Sequence, residues 1–131
     1  MNSNGQLSIE FLLLLTAILA FLSVFTSAFS ELEESSLYAI DVQNAKRFVN
    51  ELNNSSKTLS LLGEGSQKQF SYKIINEWEL KDSPVALIVH SNSGKNISLQ
   101  LPENIMLESS KNFKENLIVV LKKENGKLIL N

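Results

Sequence analysis

The chain has 131 residues, a formal net charge of −2 and no cysteine. This length allows one small domain. The mildly acidic balance gives no basic surface for nucleic acid, and the lack of thiols excludes disulfides and cysteine-based metal or catalytic sites. The single histidine, His90, ends an apolar run of strand length. We interpret it as a hydrogen-bonded or solvated strand-end residue and expect neither a metal nor a cofactor.

The first pattern along the chain is an apolar run, Gln6–Phe29, which contains one carboxylate, Glu10. The run is long enough to cross a bilayer, which takes about 20 apolar residues at about 1.5 Å per residue. Short hydroxyl side chains within it do not prevent this, because they can bond the carbonyl of the preceding helical turn; they are Thr16, Ser23, Thr26 and Ser27. The run therefore predicts a membrane-spanning helix. A secreted domain cut after Ala28 remains an alternative.

The helical pattern continues beyond the apolar run, because no glycine or proline occurs from Leu32 to Leu52. Apolar side chains recur there at helical spacing, with Phe48 beside them; they are Tyr38, Val42, Ala45, Val49 and Leu52. Polar side chains, Asp41 among them, are expected on the other faces. We predict that residues 30–53 form an amphipathic continuation of the helix. The turn formers Asn53–Ser56 predict its end.

Residues 54–131 change to the period of two that is typical of strands. The segments Phe70–Ile74 and Ile97–Leu101 alternate apolar and polar residues, whereas Val85–Val89 and Leu117–Leu121 are continuous apolar runs expected in central strands covered on both faces. Asn125-Gly126 predicts a hairpin, because both residues tolerate positive φ. The expected fold class is α+β, in which the second half of a long helix packs on a small antiparallel sheet of four to six strands.

None of the motifs HExxH, GxxxxGK[ST], GxGxxG, GxSxG or CxxC occurs in the sequence, and we expect no enzymatic activity. The segment Gly63–Ser66 resembles a phosphate loop only in its glycines, so we interpret it as a loop between strands. Glu77, Glu79 and Asp82 around Trp78 leave an anchored glycoside hydrolase as a weaker alternative. In the favoured interpretation, Trp78 is an aromatic residue of the core or of a sheet edge, and the carboxylates are solvated.

Three asparagines stand in acceptor sequons for N-glycosylation: Asn53, Asn54 and Asn96. All three fall at expected turns. The sequence therefore makes them candidate modification sites if the C-terminal part of the chain is exported.

The segment Gly5–Phe11 resembles the class III signal peptide of archaeal type IV pilin-like proteins, whose pattern is Q-x-S-x-E-F/Y followed by an apolar helix. The matching residues are Gln6, Ser8, Glu10 and Phe11. Together with the apolar run, the resemblance covers about 24 residues. The pattern departs from that of many family members in one respect, because residues 1–5 contain no lysine or arginine.

The resemblance implies that a prepilin-type peptidase removes residues 1–5 by cutting between Gly5 and Gln6. The mature chain would then begin one helical turn before Glu10. In a staggered bundle of such helices, the new amine of one subunit could neutralise Glu10 of the next and so select the register. The helix dipole also favours a carboxylate in the first turns. The competing interpretation is a glutamate that simply faces lipid headgroups.

Two functions follow from this resemblance. The first is a pilin, inserted in the cell membrane by one span and then assembled with identical or related subunits into a surface filament for adhesion or cell contact. The second is a membrane-anchored minor pilin-like or binding protein that displays its β domain outside the cell. Nucleic acid is not an expected partner of either.

Overall fold

A computed structural model describes the backbone of residues 3–131 and the side chains from Ser8 onward. The fold is α+β, as predicted: a long N-terminal helix, α1 (Ser3–Leu61), packs through its second half on a C-terminal β domain. The chain divides into two compact units. We refer to Met1–Ser35 as the apolar unit and to Ser36–Asn131 as the head unit.

Helix α1 ends at Leu61, so the predicted end near Asn53 is wrong. The turn formers are accommodated because their hydroxyls bond carbonyls of the preceding helical turn. Ser56 Oγ donates to the carbonyl oxygen of Asn53 at 2.8 Å, and Thr58 Oγ1 to that of Asn54 at 3.2 Å. Tertiary packing supports the same stretch, since Leu59 is buried against the sheets. The expected domain boundary at residue 54 therefore falls inside the helix.

Eight strands follow the helix in the described part of the chain, where four to six were predicted. They are β1 (Gln67–Lys73), β2 (Glu77–Lys81), β3 (Ala86–His90), β4 (Asn96–Gln100), β5 (Ile105–Leu107), β6 (Lys111–Phe113), β7 (Asn116–Glu124) and β8 (Lys127–Leu130). They form two four-stranded sheets rather than one. Sheet A has the order β1-β7-β8-β5, and sheet B has the order β4-β3-β2-β6. All pairs are antiparallel except β5 with β8.

The hairpin between β7 and β8 is confirmed. Asn125 and Gly126 have φ values of 52° and 75°, which is the left-handed region that this turn requires. Gly63–Ser66 connects α1 to β1, so the expectation of a loop between two strands is wrong.

The two sheets and the second half of α1 share one hydrophobic core. Phe48 lies at its centre, with ring centroids 5.7 Å from Phe70, 5.6 Å from Tyr72 and 6.4 Å from Trp78. Phe48 thereby lies next to strands of both sheets. Its pairs with Phe70 and Tyr72 are edge-to-face, an arrangement that is favourable beyond the area it buries.

Strand β7 differs from its prediction in one respect. It is central in sheet A, but only one of its faces is covered: Leu117, Val119 and Leu121 are buried, whereas Ile118 is 57% exposed. The continuous apolar run Leu117–Leu121 therefore supplies both a core face and an apolar outer surface.

Candidate assembly site

The residues of the processing motif lie at the start of α1. Ser8, Glu10 and Phe11 are helical and exposed. Gly5 and Gln6 are helical in their backbone, but their side chains lie outside the described residues, as do Met1 and Asn2 altogether. Because α1 begins at Ser3, Glu10 lies beyond the first helical turn of the uncut chain. The expected help from the helix dipole, which fades within one turn, therefore applies only to a chain cut before Gln6.

Glu10 is surrounded by apolar side chains along the helix. Leu13 and Leu14, one turn further on, are 67% and 60% exposed. The first lysine or arginine in the sequence is Lys46, which belongs to the head unit. The ion pairs found among the described side chains are Lys68–Glu51, His90–Glu79 and Lys122–Glu124, and none of them involves Glu10. The apolar unit thus presents a carboxylate with no cationic partner among its own described residues.

The apolar unit leaves its large hydrophobic side chains uncovered. Among the described residues, α1 is the one helix long and apolar enough to cross a membrane, and its most apolar stretch has no buried residue. Phe21, Phe25 and Phe29 follow one another along the helix with ring centroids 6.2 and 6.4 Å apart. A soluble monomer rarely exposes so large a contiguous apolar surface. This segment therefore has the properties of a membrane anchor or a signal sequence.

Two hydroxyls within the apolar run are satisfied inside the helix, as predicted. Thr16 Oγ1 donates to the carbonyl oxygen of Leu12, and Thr26 Oγ1 to that of Leu22, each at 2.7 Å. These bonds remove the cost of placing the two donors in an apolar environment.

A buried carboxylate fixes the head-unit part of α1 to the turn between β1 and β2. Asp41 is fully buried, and its two oxygens accept hydrogen bonds from the amides of Ile75 at 3.2 Å and Asn76 at 3.0 Å. The prediction that Asp41 lies on a face of the helix away from the apolar stripe is wrong, because its side chain is buried. Periodicity places Asp41 one turn before Ala45, and an acidic residue on an apolar stripe is the signal that could have revealed this contact.

A second polar contact joins α1 to β1. Tyr72 donates its hydroxyl to Glu51 Oε2 at 2.5 Å, and Lys68 Nζ lies 3.0 Å from Glu51 Oε1 and 2.9 Å from Ser55 Oγ. These hydrogen bonds, that of Tyr72 first, lower the pKa of Glu51. Burial, together with the bond to Glu51, raises the pKa of Tyr72 to about 12. The network therefore favours a charged Glu51 and a neutral Tyr72 at neutral pH.

Lys123 caps the C-terminal end of α1. The last turn of the helix has no basic residue of its own. Its Nζ donates to the carbonyl oxygens of Ser60 at 2.9 Å and Leu62 at 2.7 Å. A cation at this position satisfies unpaired carbonyls and complements the negative end of the helix dipole.

The residues considered as candidates for catalysis or metal binding occupy positions in the core or at a strand end. Trp78 is fully buried in the core, as favoured, so its ring is not accessible as a sugar platform. His90 is the last residue of β3, and its Nδ1 and Nε2 lie 3.0 Å from Asn96 Oδ1 and 3.3 Å from Glu79 Oε2. The prediction of a hydrogen-bonded strand-end histidine is confirmed. Among the described residues, no cluster of three His, Cys, Asp or Glu side chains is arranged to hold a metal ion.

The three sequons occupy different environments. Asn53 and Asn54 lie inside α1, and the serines that complete their sequons, Ser55 and Ser56, are buried. Asn96 begins the edge strand β4, and both Asn96 and Ser98 are exposed. The expectation that all three lie at turns is wrong for the helical pair.

Comparison of the chain with protein-family models, with curated proteins and with solved structures finds no match.

Proposed function

We propose that this protein is the structural subunit of an archaeal type IV pilus-like surface filament. A prepilin-type peptidase would cut between Gly5 and Gln6, and the apolar helices of many copies would then associate as the filament core. The head units would form the outer surface, which serves adhesion or cell contact. Before assembly, the apolar helix would hold each copy in the cell membrane.

One observation carries this proposal: an exposed apolar run, Gln6–Phe29, that contains a single carboxylate, Glu10, without a cationic partner among the described residues of its own unit. A charge within a membrane helix costs up to about 2.5–3.5 kcal/mol at the bilayer centre, so such residues normally have a partner. Cutting before Gln6 creates an amine one turn away. Pairing of that amine with Glu10 of a neighbouring copy satisfies both charges in an apolar core and penalises a shifted register.

The first test is Glu10→Ala in cells that express the full chain. We expect normal membrane insertion and processing, but loss or strong reduction of surface filaments seen by negative-stain microscopy. Glu103→Ala is the control, because it removes an exposed carboxylate from the head unit, outside the motif. Normal filaments in the Glu10 variant would show that this carboxylate does not set the register.

The second test is mass spectrometry of the protein from the cell surface. The proposal requires a chain that begins at Gln6. A chain beginning at Phe29 would instead identify a secreted domain and exclude assembly through the helix. A correctly processed chain that is scarce in sheared surface fractions would favour the minor, display-type protein.

A further inference from the structure

The outer face of sheet A carries an apolar row whose members are exposed or half-buried. Its members come from three adjacent strands: Ile118 and Val120 from β7, Ile129 from β8 and Met106 from β5. Ile118 is 57% and Met106 51% exposed, and Met106 lies directly opposite Ile129 in the register. These positions alternate with the buried core residues of the same strands. Val120 and Ile129 are diagonal neighbours across β7 and β8, because Lys122 pairs with Ile129 and Asn131 lies opposite Val120, so the four side chains lie near one another on this face.

Lysines flank this apolar row at both ends. Lys73 lies beside Asn116 at one end of sheet A, and Lys122 pairs with Ile129 near the other. Lys127 points to the same side at the start of β8, since it lies two residues before Ile129. The acidic residues on or next to these strands are Glu124, 3.6 Å from Lys122, Glu108, which follows β5, and Glu115, which precedes β7. The strands of this face carry more positive than negative charge.

The N-terminal part of the chain carries negative rather than positive charge. Residues 1–45 carry five carboxylates and no basic residue, whereas residues 46–131 carry nine carboxylates and twelve basic residues. In the apolar unit, Phe29, Leu32 and Glu33 lie at helical spacings of three and four, so they share one face of α1. Phe29 is 59% and Leu32 69% exposed, and Glu33 is exposed as well. This face combines apolar side chains with an acidic neighbour.

We infer that the outer face of sheet A binds the Phe29–Glu33 segment of a second copy of this chain. Phe29 and Leu32 would cover the apolar row, and Glu33 would approach the lysines at its end. Charge complementarity favours this occupant over a second sheet A, because two such faces would bring lysines together. The inference rests on the proposed function and names the contact between heads and helices within the filament.

The two surfaces differ, so the contact is heterologous. Each copy offers one surface and receives the other, and such contacts continue into rings or open helical filaments rather than stopping at a dimer. The contact between head and helix therefore orders successive subunits at the filament surface. It does so independently of the Glu10 pairing in the filament core.

Cross-linking tests this contact directly, because the chain has no cysteine of its own. In the full chain, Leu32→Cys with Ile118→Cys is treated on cells with a short bismaleimide reagent. We expect covalent dimers and higher oligomers. The matched control is Leu32→Cys with Ser98→Cys, since Ser98 is an exposed residue on the outer face of sheet B. That pair should give only background cross-linking.

The result separates this inference from the proposed function. Filaments without the Leu32–Ile118 cross-link would overturn the inference and leave the filament proposal intact. Cross-linked copies without filaments would support the contact and refute the filament. Covalent dimers from Ile118→Cys alone would indicate face-to-face packing of two sheets and would overturn the inference. Protection of the Ile118→Cys thiol from a soluble maleimide, without any cross-link between copies, would show a different occupant such as lipid or another protein.

Charge reversal provides an independent measurement. Lys122→Glu should lower the Leu32–Ile118 cross-linking yield several-fold, and adding Glu33→Lys should restore it. Lys95→Glu, which reverses a charge in the turn between β3 and β4, should leave the yield unchanged. A yield that Lys122→Glu does not alter would contradict the role assigned to the basic end of the face.

Discussion

The two halves of α1 are continuous in backbone structure, yet they differ in what covers them. In the apolar unit, phenylalanines such as Phe25 are more than half exposed, whereas Phe48 in the head unit is fully buried. The buried stripe of the head unit is held by aromatic contacts and by polar anchors at Asp41 and Glu51. The same helix therefore contains one half that is packed against the β domain and one half whose apolar surface is not covered by any described residue.

The strongest test of this contrast removes one aromatic ring from each half of α1 in turn. Phe48→Ala should lower the free energy of unfolding of the head by about 3–5 kcal/mol, because it removes a fully buried ring and leaves a cavity. Phe25→Ala, the matched change in the apolar unit, should leave head stability unchanged. Both are measured by chemical denaturation of the full chain in detergent. The fluorescence of Trp78, the one tryptophan in the sequence, reports the core. Equal losses for the two variants would contradict the division into two units.

The next largest effect is expected at Asp41. Asp41→Ala should cost about 2–3 kcal/mol, because the change removes a fully buried carboxylate that accepts hydrogen bonds from the amides of both Ile75 and Asn76. Asp41→Asn should cost less, since its carbonyl oxygen can still accept one of the two bonds. Glu33→Ala removes an exposed carboxylate from the same helix and is the control. If Asp41→Ala leaves the free energy of unfolding unchanged, the turn does not depend on this side chain.

A smaller effect is expected from the network of Tyr72. Tyr72→Phe should cost about 1 kcal/mol at neutral pH by removing the bond to Glu51. The folded-state pKa of Tyr72, about 12, exceeds the ordinary value of 10.0. Its contribution to stability should therefore be complete below pH 10 and lost as the pH rises from 10 to 12.

The opposite dependence applies to Glu51, whose pKa is lowered from 4.5. Its contribution is present above pH 4.5 and should be lost as the pH falls below that value.

Unfolding measured across both pH ranges tests the role of Tyr72. The loss of stability at alkaline pH should be weaker in Tyr72→Phe than in the unaltered chain. Tyr38→Phe, which changes the other tyrosine, should keep the full alkaline loss. An identical alkaline profile in the Tyr72 variant would contradict the assignment.

The smallest effect is expected at the end of α1. Lys123→Ala should cost about 0.3–1 kcal/mol, because it removes a cation that bonds two terminal carbonyls. Lys127→Ala, on the exposed side of the neighbouring strand, is the control and should be neutral. The expected loss is local, so hydrogen exchange of the last helical turn should rise more than that of the core strands. Unchanged exchange there would show that Lys123 does not stabilise the helix end.

The long helix, its apolar first half and five of the strands could be predicted from the sequence, because periodicity reports which faces are covered. The end of the helix could not, since Ser55 and Ser56 are turn formers by composition and only tertiary burial keeps them helical. The short strands β5 and β6, of three residues each, are too brief to show a period. Strand β5 pairs with β8 and β6 pairs with β2, so their positions depend on the rest of each sheet.

The candidate site was predictable in part. The position of Glu10 on an exposed apolar helix follows from the sequence and is confirmed. Asp41 was missed because an acidic residue is normally assigned to solvent, and its acceptor role appears only when the β1–β2 turn meets the helix. The outer face of sheet A was missed for a related reason. A continuous apolar run such as Leu117–Leu121 is typical of a strand covered on both sides, and the sequence does not show that one side remains open.

The attachments between α1 and the head also have a mechanical consequence. They are distributed from Asp41 to Ser60, a span of about 29 Å along the helix axis. Ser55 meets Lys68 and Glu51 meets Tyr72, so the helix runs antiparallel to β1. A pull on the N-terminal end of this segment along its axis would load these contacts together in shear rather than peel them apart one by one. These contacts are therefore suited to resist tension applied along this part of α1.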